Sequence, residues 1–171
     1  TITFSLSGTD AGDFAINSET GAITFASAPN FESPTGGAGN NSNAYSLNVV
    51  ASDGTNSDTE AIVVNVTDTN DESPVLSVST PYSVAENTTT VATVTASDAD
   101  AGTTITFSLS GTDSADFAID SSSGAITFNS APDFETPGSV ANSNAYSLNV
   151  VASDGTNTDT EAIVVNVTDA N

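Results

Sequence analysis

The 171-residue sequence contains no Lys, Arg, His, Cys, Met or Trp. The absence of Lys and Arg disfavours nucleic acid and anionic membrane surfaces as partners, because both are bound through clusters of basic side chains. The absence of Cys excludes disulfide bonds and thiolate metal sites, although it leaves the compartment open. No run of about 18 apolar residues is present, so the sequence predicts no direct membrane insertion.

The acidic side chains have no cationic partner within the chain. Asp and Glu together number 22, which gives a net charge of −22 at pH 7. Uncompensated like charge opposes compaction, so metal ions or ambient salt must neutralise it. Hard divalent cations suit carboxylate oxygens best and are therefore candidate cofactors.

The sequence repeats itself after a shift of roughly one hundred positions. Thr1–Phe25 recurs as Thr104–Phe128, and Asn43–Asp68 recurs as Asn144–Asp169. A Gly- and Asn-rich stretch, residues 33–42, loses two residues in the second copy, as expected of a surface loop. The chain thus holds about one and two-thirds copies of the unit.

The repeat predicts two domains, residues 1–70 and 71–171, with a linker around residues 68–74. The first copy begins at its third predicted strand and so lacks the first two strands. We expect these strands either to precede this fragment in a longer protein or to be supplied by another chain. Because Thr1 opens directly into a strand-like pattern without an initiator Met, we expect an internal fragment.

Apolar and polar residues alternate over short runs within each copy, which is the period of a β-strand. Turn signals containing Gly, Asn-Ser or Asp-Gly separate these runs, and no stretch has the pattern of a long helix. The sequence therefore predicts an all-β fold of tandem, immunoglobulin-like Greek-key β-sandwiches of about 100 residues each. The apolar residues of two such runs in the second copy are Tyr146, Leu148, Val150, Ala152, Ile163, Val165 and Val167.

Catalysis is disfavoured by the residue types present. Without His, Cys, Lys or Arg, only a glycosidase-type pair of carboxylates is chemically possible. A catalytic pair should occur once, whereas the acids recur with the repeat, as scaffold ligands would. The sequence therefore predicts that the protein is not an enzyme; the recurring acids are Glu32/Glu135, Asp53/Asp154 and Asp68/Asp169.

Several motifs of the second copy resemble those of cadherin repeats, in the order and spacing of that family. They are the opening strand with its Glu (Pro81–Asn87), an Asp-x-Asp motif (Ala96–Asp100), a central block (Asp116–Ile126), an Asp-x-Glu motif (Pro132–Glu135), an Ala-x-Asp-x-Gly-like motif (Ala152–Gly155) and the linker motif (Asp68–Pro74). The resemblance is to bacterial or archaeal cadherin-like repeats of large extracellular adhesins or filaments.

The resemblance implies calcium ions at the junction of the two repeats. Side-chain ligands would come from Glu32, Asp68, Asn70, Asp71, Asp98, Asp100 and Asp154, and backbone carbonyls from Thr69 and Glu72. Two departures from the family pattern concern these sites: Asn30 stands where an Asp is expected, and Glu72 replaces the second Asn of the linker. At the other end of the second repeat, Asp133, Glu135 and Asp169 would form half a site.

The resulting functional prediction is a calcium-binding structural repeat that forms a stiff extender or filament segment of a secreted or cell-surface adhesin. The alternatives are a module that itself mediates homophilic or carbohydrate adhesion, and one that polymerises by strand complementation between chains. The expected partners are neighbouring repeats of the same protein and other copies of the chain.

Overall fold

The computed structural model describes residues 1–36 and 41–170, so the predicted surface loop at 33–42 lies partly outside the described residues. The chain forms two compact units, Thr1–Thr69 and Asn70–Asn171. Each unit has its own hydrophobic core. In the described part of the chain, no helix is long and apolar enough to cross a membrane.

The first unit contains an antiparallel sheet in the order β1-β4-β5 and a separate hairpin, β2-β3. Its small core is built on Phe14, Tyr45 and Leu47. The rings of Phe14 and Tyr45 pack edge to face with centroids 5.5 Å apart. The strands are β1 (Thr3–Ser7), β2 (Phe14–Ile16), β3 (Ile23–Phe25), β4 (Ala44–Ser52) and β5 (Ser57–Asn65).

The second unit is the more complete β-sandwich. One sheet has the order β10-β13-β14-β7, in which β7 is parallel to β14; the other comprises β11-β12-β8, and β6 pairs with β9. The predicted all-β sandwich is thereby confirmed. Its strands are β6 (Val75–Ser77), β7 (Tyr82–Ala85), β8 (Thr90–Thr93), β9 (Thr95–Ser97), β10 (Thr106–Ser110), β11 (Phe117–Ile119), β12 (Ala125–Phe128), β13 (Ala145–Ser153) and β14 (Thr158–Thr168).

The core of the second unit follows the predicted alternation of side chains. All seven apolar residues of the alternating runs in β13 and β14 are buried, and Val150, Ala152 and Val165 are 0% exposed. These residues pack in one cluster with side chains from β6 to β9 and the segments between them, including Leu76, Val84 and Val94. We call β6 to β9 the opening strands. The period of two along β13 and β14 thus places one side of each strand in the sandwich interior.

A buried Asp extends the central sheet of each unit. Asp113 is 4% exposed; its Oδ2 accepts the Ser147 backbone N–H at 2.7 Å, and its own N–H donates to the Ser147 carbonyl at 3.1 Å. In the first unit Asp10 makes the same two bonds with Ser46, at 2.6 and 3.4 Å. Each Asp therefore adds one further hydrogen-bonded pair of residues, or rung, to a pair of strands. This rung follows the last pair of β10–β13 in the second unit and the last pair of β1–β4 in the first.

Candidate metal centre

Carboxylates gather at both ends of the second unit. The near-end cluster consists of Asp98, Asp100 and Asp154, and the far-end cluster of Glu86, Asp133 and Glu135. In each cluster, one potential ligand oxygen per residue lies within 4.8 Å of the others. Strand β14 separates the clusters, because it begins just after Asp154 and its last residue pairs with the residue before Glu86.

Asp98 and Asp100 follow strand β9 and are oriented by local backbone donors. The Asp98 Oδ1 accepts the Asp100 N–H at 3.0 Å, which folds the Asp-x-Asp segment into a tight turn. Asp100 is 4% exposed, and its Oδ2 accepts the Glu72 N–H at 3.0 Å. Each carboxylate thus has one oxygen held by a backbone N–H.

Asp154 lies in the turn between β13 and β14. Its Oδ1 accepts the N–H groups of Thr156 and Asn157, both at 2.6 Å, and Gly155 supplies the positive φ of 97° that closes the turn. Burial raises the pKa of Asp154, but the two backbone donors, from Asn157 and Thr156, outweigh it and leave the pKa below its ordinary value. The carboxylate is therefore held in its ionised form.

The second oxygen of each near-end carboxylate is buried without a hydrogen-bond partner among the described residues. These atoms are Asp98 Oδ2, Asp100 Oδ1 and Asp154 Oδ2. Charged oxygens withdrawn from water without compensation are costly, and like charges brought together repel. A hard cation that takes oxygen ligands would satisfy all three, so the donor set fits calcium.

The start of the second unit is hydrogen-bonded to the near-end cluster and to residues that follow it in the chain. Besides the bond from Glu72 to Asp100, the Glu72 carbonyl accepts the Asn157 Nδ2 at 2.8 Å, and the Leu76 N–H donates to Asp159 Oδ2 at 2.8 Å. The carbonyl predicted as a ligand at Glu72 therefore already accepts one hydrogen bond, and its second lone pair remains available to a cation.

The other predicted ligands remain predictions. Asn70 and Asp71 are exposed at the start of the second unit. Glu32, Asp68 and Thr69 belong to the first unit, where Glu32 and Asp68 are half-buried and Thr69 is exposed.

The far-end cluster differs because its buried acid is fully hydrogen-bonded. Glu86 is 7% exposed, and its two oxygens accept the N–H groups of Ala170 at 3.0 Å and Phe134 at 3.1 Å, which lower its pKa. A hydrogen bond from its own backbone lowers the pKa of Glu135, but repulsion from Glu86 and Asp169 together with burial gives a net upward shift. Within the described ranges, no buried carboxylate oxygen at this end lacks a partner.

Two residues that bind the start of the second unit beside the near-end cluster were not predicted from the sequence, namely Asn157 and Asp159. The segment Ser-Asp-Gly-Thr-Asn occurs in both copies, so it gave no sign that one Asn contacts Glu72. Asp159 is likewise repeated, as Asp58. Their partners are 85 and 83 residues away along the chain, which a local pattern does not reveal.

Comparison with known proteins gives one consistent result. A family model described as the cadherin domain matches residues 80–168. Human Protocadherin Fat 4 is 38% identical over 140 residues, which covers 76% of this chain and 3% of that protein. The Drosophila melanogaster protocadherin-like wing polarity protein stan is 35% identical over 183 residues, covering 96% and 5%, respectively. The chain thus spans only a few per cent of these relatives.

Solved structures agree with the sequence comparison. Mouse cadherin-23 EC22-24 superposes with a TM-score of 0.73 at 28% identity, covering 99% of this chain and 53% of that one. Human protocadherin-24 EC1-2 gives a TM-score of 0.80 at 23% identity, with 99% and 82% covered, and this second likeness concerns the fold alone.

Proposed function

This chain belongs to the cadherin family, whose domain matches more than half of its residues, and from that premise we propose that it is a calcium-binding structural repeat of an extracellular protein. Bound calcium would stiffen a tandem array of such repeats into an extender or filament segment of a cell-surface adhesin. The observation that carries this proposal is the near-end cluster, with its three buried carboxylate oxygens that lack a hydrogen-bond partner in the described part of the chain.

The cation would supply the positive charge that the chain itself lacks. Asp98, Asp100 and Asp154 would hold it through the oxygens that no backbone donor occupies. The family resemblance adds Asn70, Asp71 and the Glu72 carbonyl from the second unit, and Glu32, Asp68 and the Thr69 carbonyl from the first. Such a set reaches the six to eight oxygens that calcium prefers, and a bound cation would offset part of the chain's net charge of −22 where the carboxylates crowd together.

The stiff-extender role is supported by the repetition of the sequence. The segments Asn43–Asp68 and Asn144–Asp169 differ only at Ser57, which is Thr158 in the second copy. A spacer needs the same unit many times, whereas a recognition module needs a feature that one copy alone carries.

Cadherin domains are non-enzymatic adhesion domains, so family membership confirms the prediction that the chain is not an enzyme.

The test is thermal unfolding of the full chain in excess calcium and in chelator. A ligand that binds only the folded state stabilises it by about 2.7 kcal/mol at a concentration of 100 Kd, so calcium should raise the unfolding midpoint by several degrees. Asp98→Asn removes one charge and one of the partnerless oxygens, and it should abolish most of this rise.

The matched control is Asp120→Asn, which removes the same charge from an exposed turn outside both clusters. Asn is compatible with that turn, because Asn17 occupies the equivalent position in the first unit. If both variants respond to calcium like the parent, calcium binding by the near-end cluster is rejected.

A further inference from the structure

The side chain of Asn157 connects two parts of the near-end cluster. Its backbone N–H donates to Asp154 Oδ1 at 2.6 Å, and its side-chain Nδ2 donates to the Glu72 carbonyl at 2.8 Å. The Glu72 N–H in turn donates to Asp100 Oδ2 at 3.0 Å. Asp154, Asn157, Glu72 and Asp100 thus form a chain of hydrogen bonds that joins two carboxylates from separate turns.

The bonds of this chain select which carboxylate oxygens remain available. They occupy Oδ1 of Asp154 and Oδ2 of Asp100, while the opposite oxygens, Oδ2 and Oδ1, are buried and have no hydrogen-bond partner in the described ranges. Because a carboxylate held by one oxygen cannot rotate freely, its other oxygen keeps a fixed direction. Outer hydrogen bonds of this kind orient metal ligands and tune their affinity.

We propose that Asn157 is a positioning residue for the calcium site, which fixes the Glu72 peptide against Asp100 before any cation binds. The proposal rests on the calcium function above. Without the Asn157 side chain, the Glu72 carbonyl would lose its hydrogen bond to the β13–β14 turn. Calcium would then have to order the segment around Glu72 when it binds. The cost of that ordering would appear as weaker affinity.

The first unit provides the matched control. Its turn has the same sequence and bonds, with Asp53 Oδ1 accepting the Thr55 and Asn56 N–H groups at 2.8 and 2.7 Å. Positions 51–56 match positions 152–157, but the described residues include no counterpart of Glu72, and among them the Asn56 side chain donates to no backbone carbonyl. Asn56→Ala therefore makes the same chemical change without removing a bond to Glu72.

The experiment measures calcium affinity of the full chain by calorimetric titration for the parent, Asn157→Ala, Asn157→Asp and Asn56→Ala. We expect Asn157→Ala to bind about tenfold more weakly and Asn56→Ala to bind like the parent. Asn157→Asp keeps the shape but replaces the Nδ2 donor with an acceptor. If positioning governs affinity, this variant also binds more weakly, although its added negative charge would by itself attract the cation.

A second readout reports positioning in the absence of calcium. Amide hydrogen exchange in chelator should be faster for the Glu72 N–H in Asn157→Ala, whereas the Leu76 N–H should be unchanged because Asp159 holds it independently. Faster exchange at Glu72 together with weaker binding supports the proposal.

Unchanged affinity in both Asn157 variants, with binding lost in Asp98→Asn, overturns the role of Asn157 and leaves the calcium function intact. A gain of affinity in Asn157→Asp likewise overturns it, because charge and not the donor would then govern binding. Failure of the parent to bind calcium at all overturns both proposals.

Discussion

The hairpin β4–β5 of the first unit and the hairpin β13–β14 of the second have almost the same sequence but different burial. Leu47 and Leu148, in the middle of each sheet, are both 2% exposed. Along the second strand of each hairpin and just beyond it, Ile163, Val165 and Val167 are at most 4% exposed, whereas their counterparts Ile62, Val64 and Val66 are only half-buried. Burial at these positions is therefore decided by what packs against the hairpin and not by its own sequence.

The difference is explained by strands β6 to β9. In the second unit β7 pairs with the end of β14, from Val165 to Thr168, and the opening strands contribute side chains to the core. The first unit begins at the position equivalent to Thr104, so its described residues include no counterpart of these strands. Comparing equivalent substitutions in the two hairpins therefore measures what the opening strands contribute.

The largest difference is expected for an Ile in the second strand of each hairpin. Ile163→Ala leaves a cavity in a closed core and should reduce the free energy of unfolding of the second unit by about 3 to 4 kcal/mol. Ile62→Ala at a half-buried position should cost the first unit about half as much. Amide hydrogen exchange in β13–β14 and β4–β5 measures each unit separately. Equal losses would mean that the opening strands add nothing to the packing of this Ile.

A smaller difference is expected for a pair of turn glycines. Gly124 and Gly21 have nearly the same positive φ, 72° and 73°, so Ala at either position incurs the left-handed strain of about 1 to 2 kcal/mol. A Cβ at Gly124 would also lie 2.4 Å from the Val94 carbonyl oxygen, between β8 and β9, whereas at Gly21 the nearest atoms belong to the Phe4 ring at 3.4 Å. Gly124→Ala should therefore cost at least about 1 kcal/mol more than Gly21→Ala.

Denaturant unfolding followed by hydrogen exchange in each unit would measure both glycine variants. If the two substitutions cost the same, the contact between Gly124 and Val94 would not constrain the turn, and the opening strands would be shown to move freely at this point.

The smallest expected difference is in how the stability of each unit depends on pH under acidic conditions. The pKa of Asp120 is held well below its usual range by hydrogen bonds from the hydroxyl and N–H groups of Ser122 and Ser123, of which the Ser122 hydroxyl contributes most. Asn17, at the matched position, does not titrate. A carboxyl group whose pKa is lowered by folding stabilises the protein above its unfolded pKa of about 4, and this stability is lost as the pH falls through the folded pKa. Asp120→Asn should flatten the dependence of the second unit's stability on pH below about 4.

The reciprocal variant Asn17→Asp should introduce a smaller acid dependence into the first unit, because the two backbone donors recur there but Glu19 stands in place of Ser122 and supplies no hydroxyl. The measurement is the unfolding midpoint in chelator between pH 5 and pH 2. Parallel curves for the parent and both variants would show that the hydrogen bonds to residues 17 and 120 do not persist in solution.

The sequence was sufficient to predict the strands and the sandwich because both depend on regularities that the sequence itself displays. The alternation along Tyr146 to Ala152 is seen in neighbouring residues, the near-exact repeat is seen when the sequence is compared with itself, and the structure confirms the fold. The acids Asp98, Asp100 and Asp154 were named from motif spacing, and the structure brings their oxygens within 4.8 Å of one another. Their role as calcium ligands stays a prediction.

The hydrogen bonds around that cluster could not be predicted, because each depends on residues far apart in the chain. Asn157 and Asn56 occupy identical local sequences, yet in the described part of the chain the side chain of Asn157 donates to a distant carbonyl and that of Asn56 does not. Asp113 has the pattern of an ordinary turn former, and its burial becomes apparent only when β13 passes beside it.

The rung that Asp10 and Asp113 add to their sheets bears on how such repeats diverge in evolution. The loop that leads into β4 is two residues longer than the one that leads into β13, yet each Asp contacts the equivalent Ser in its own unit. Because the contact holds the third residue of each strand in place, insertions before it need not propagate into the sheet register. Loop length can therefore drift from copy to copy under little selection, which makes this loop a natural place to graft a new peptide.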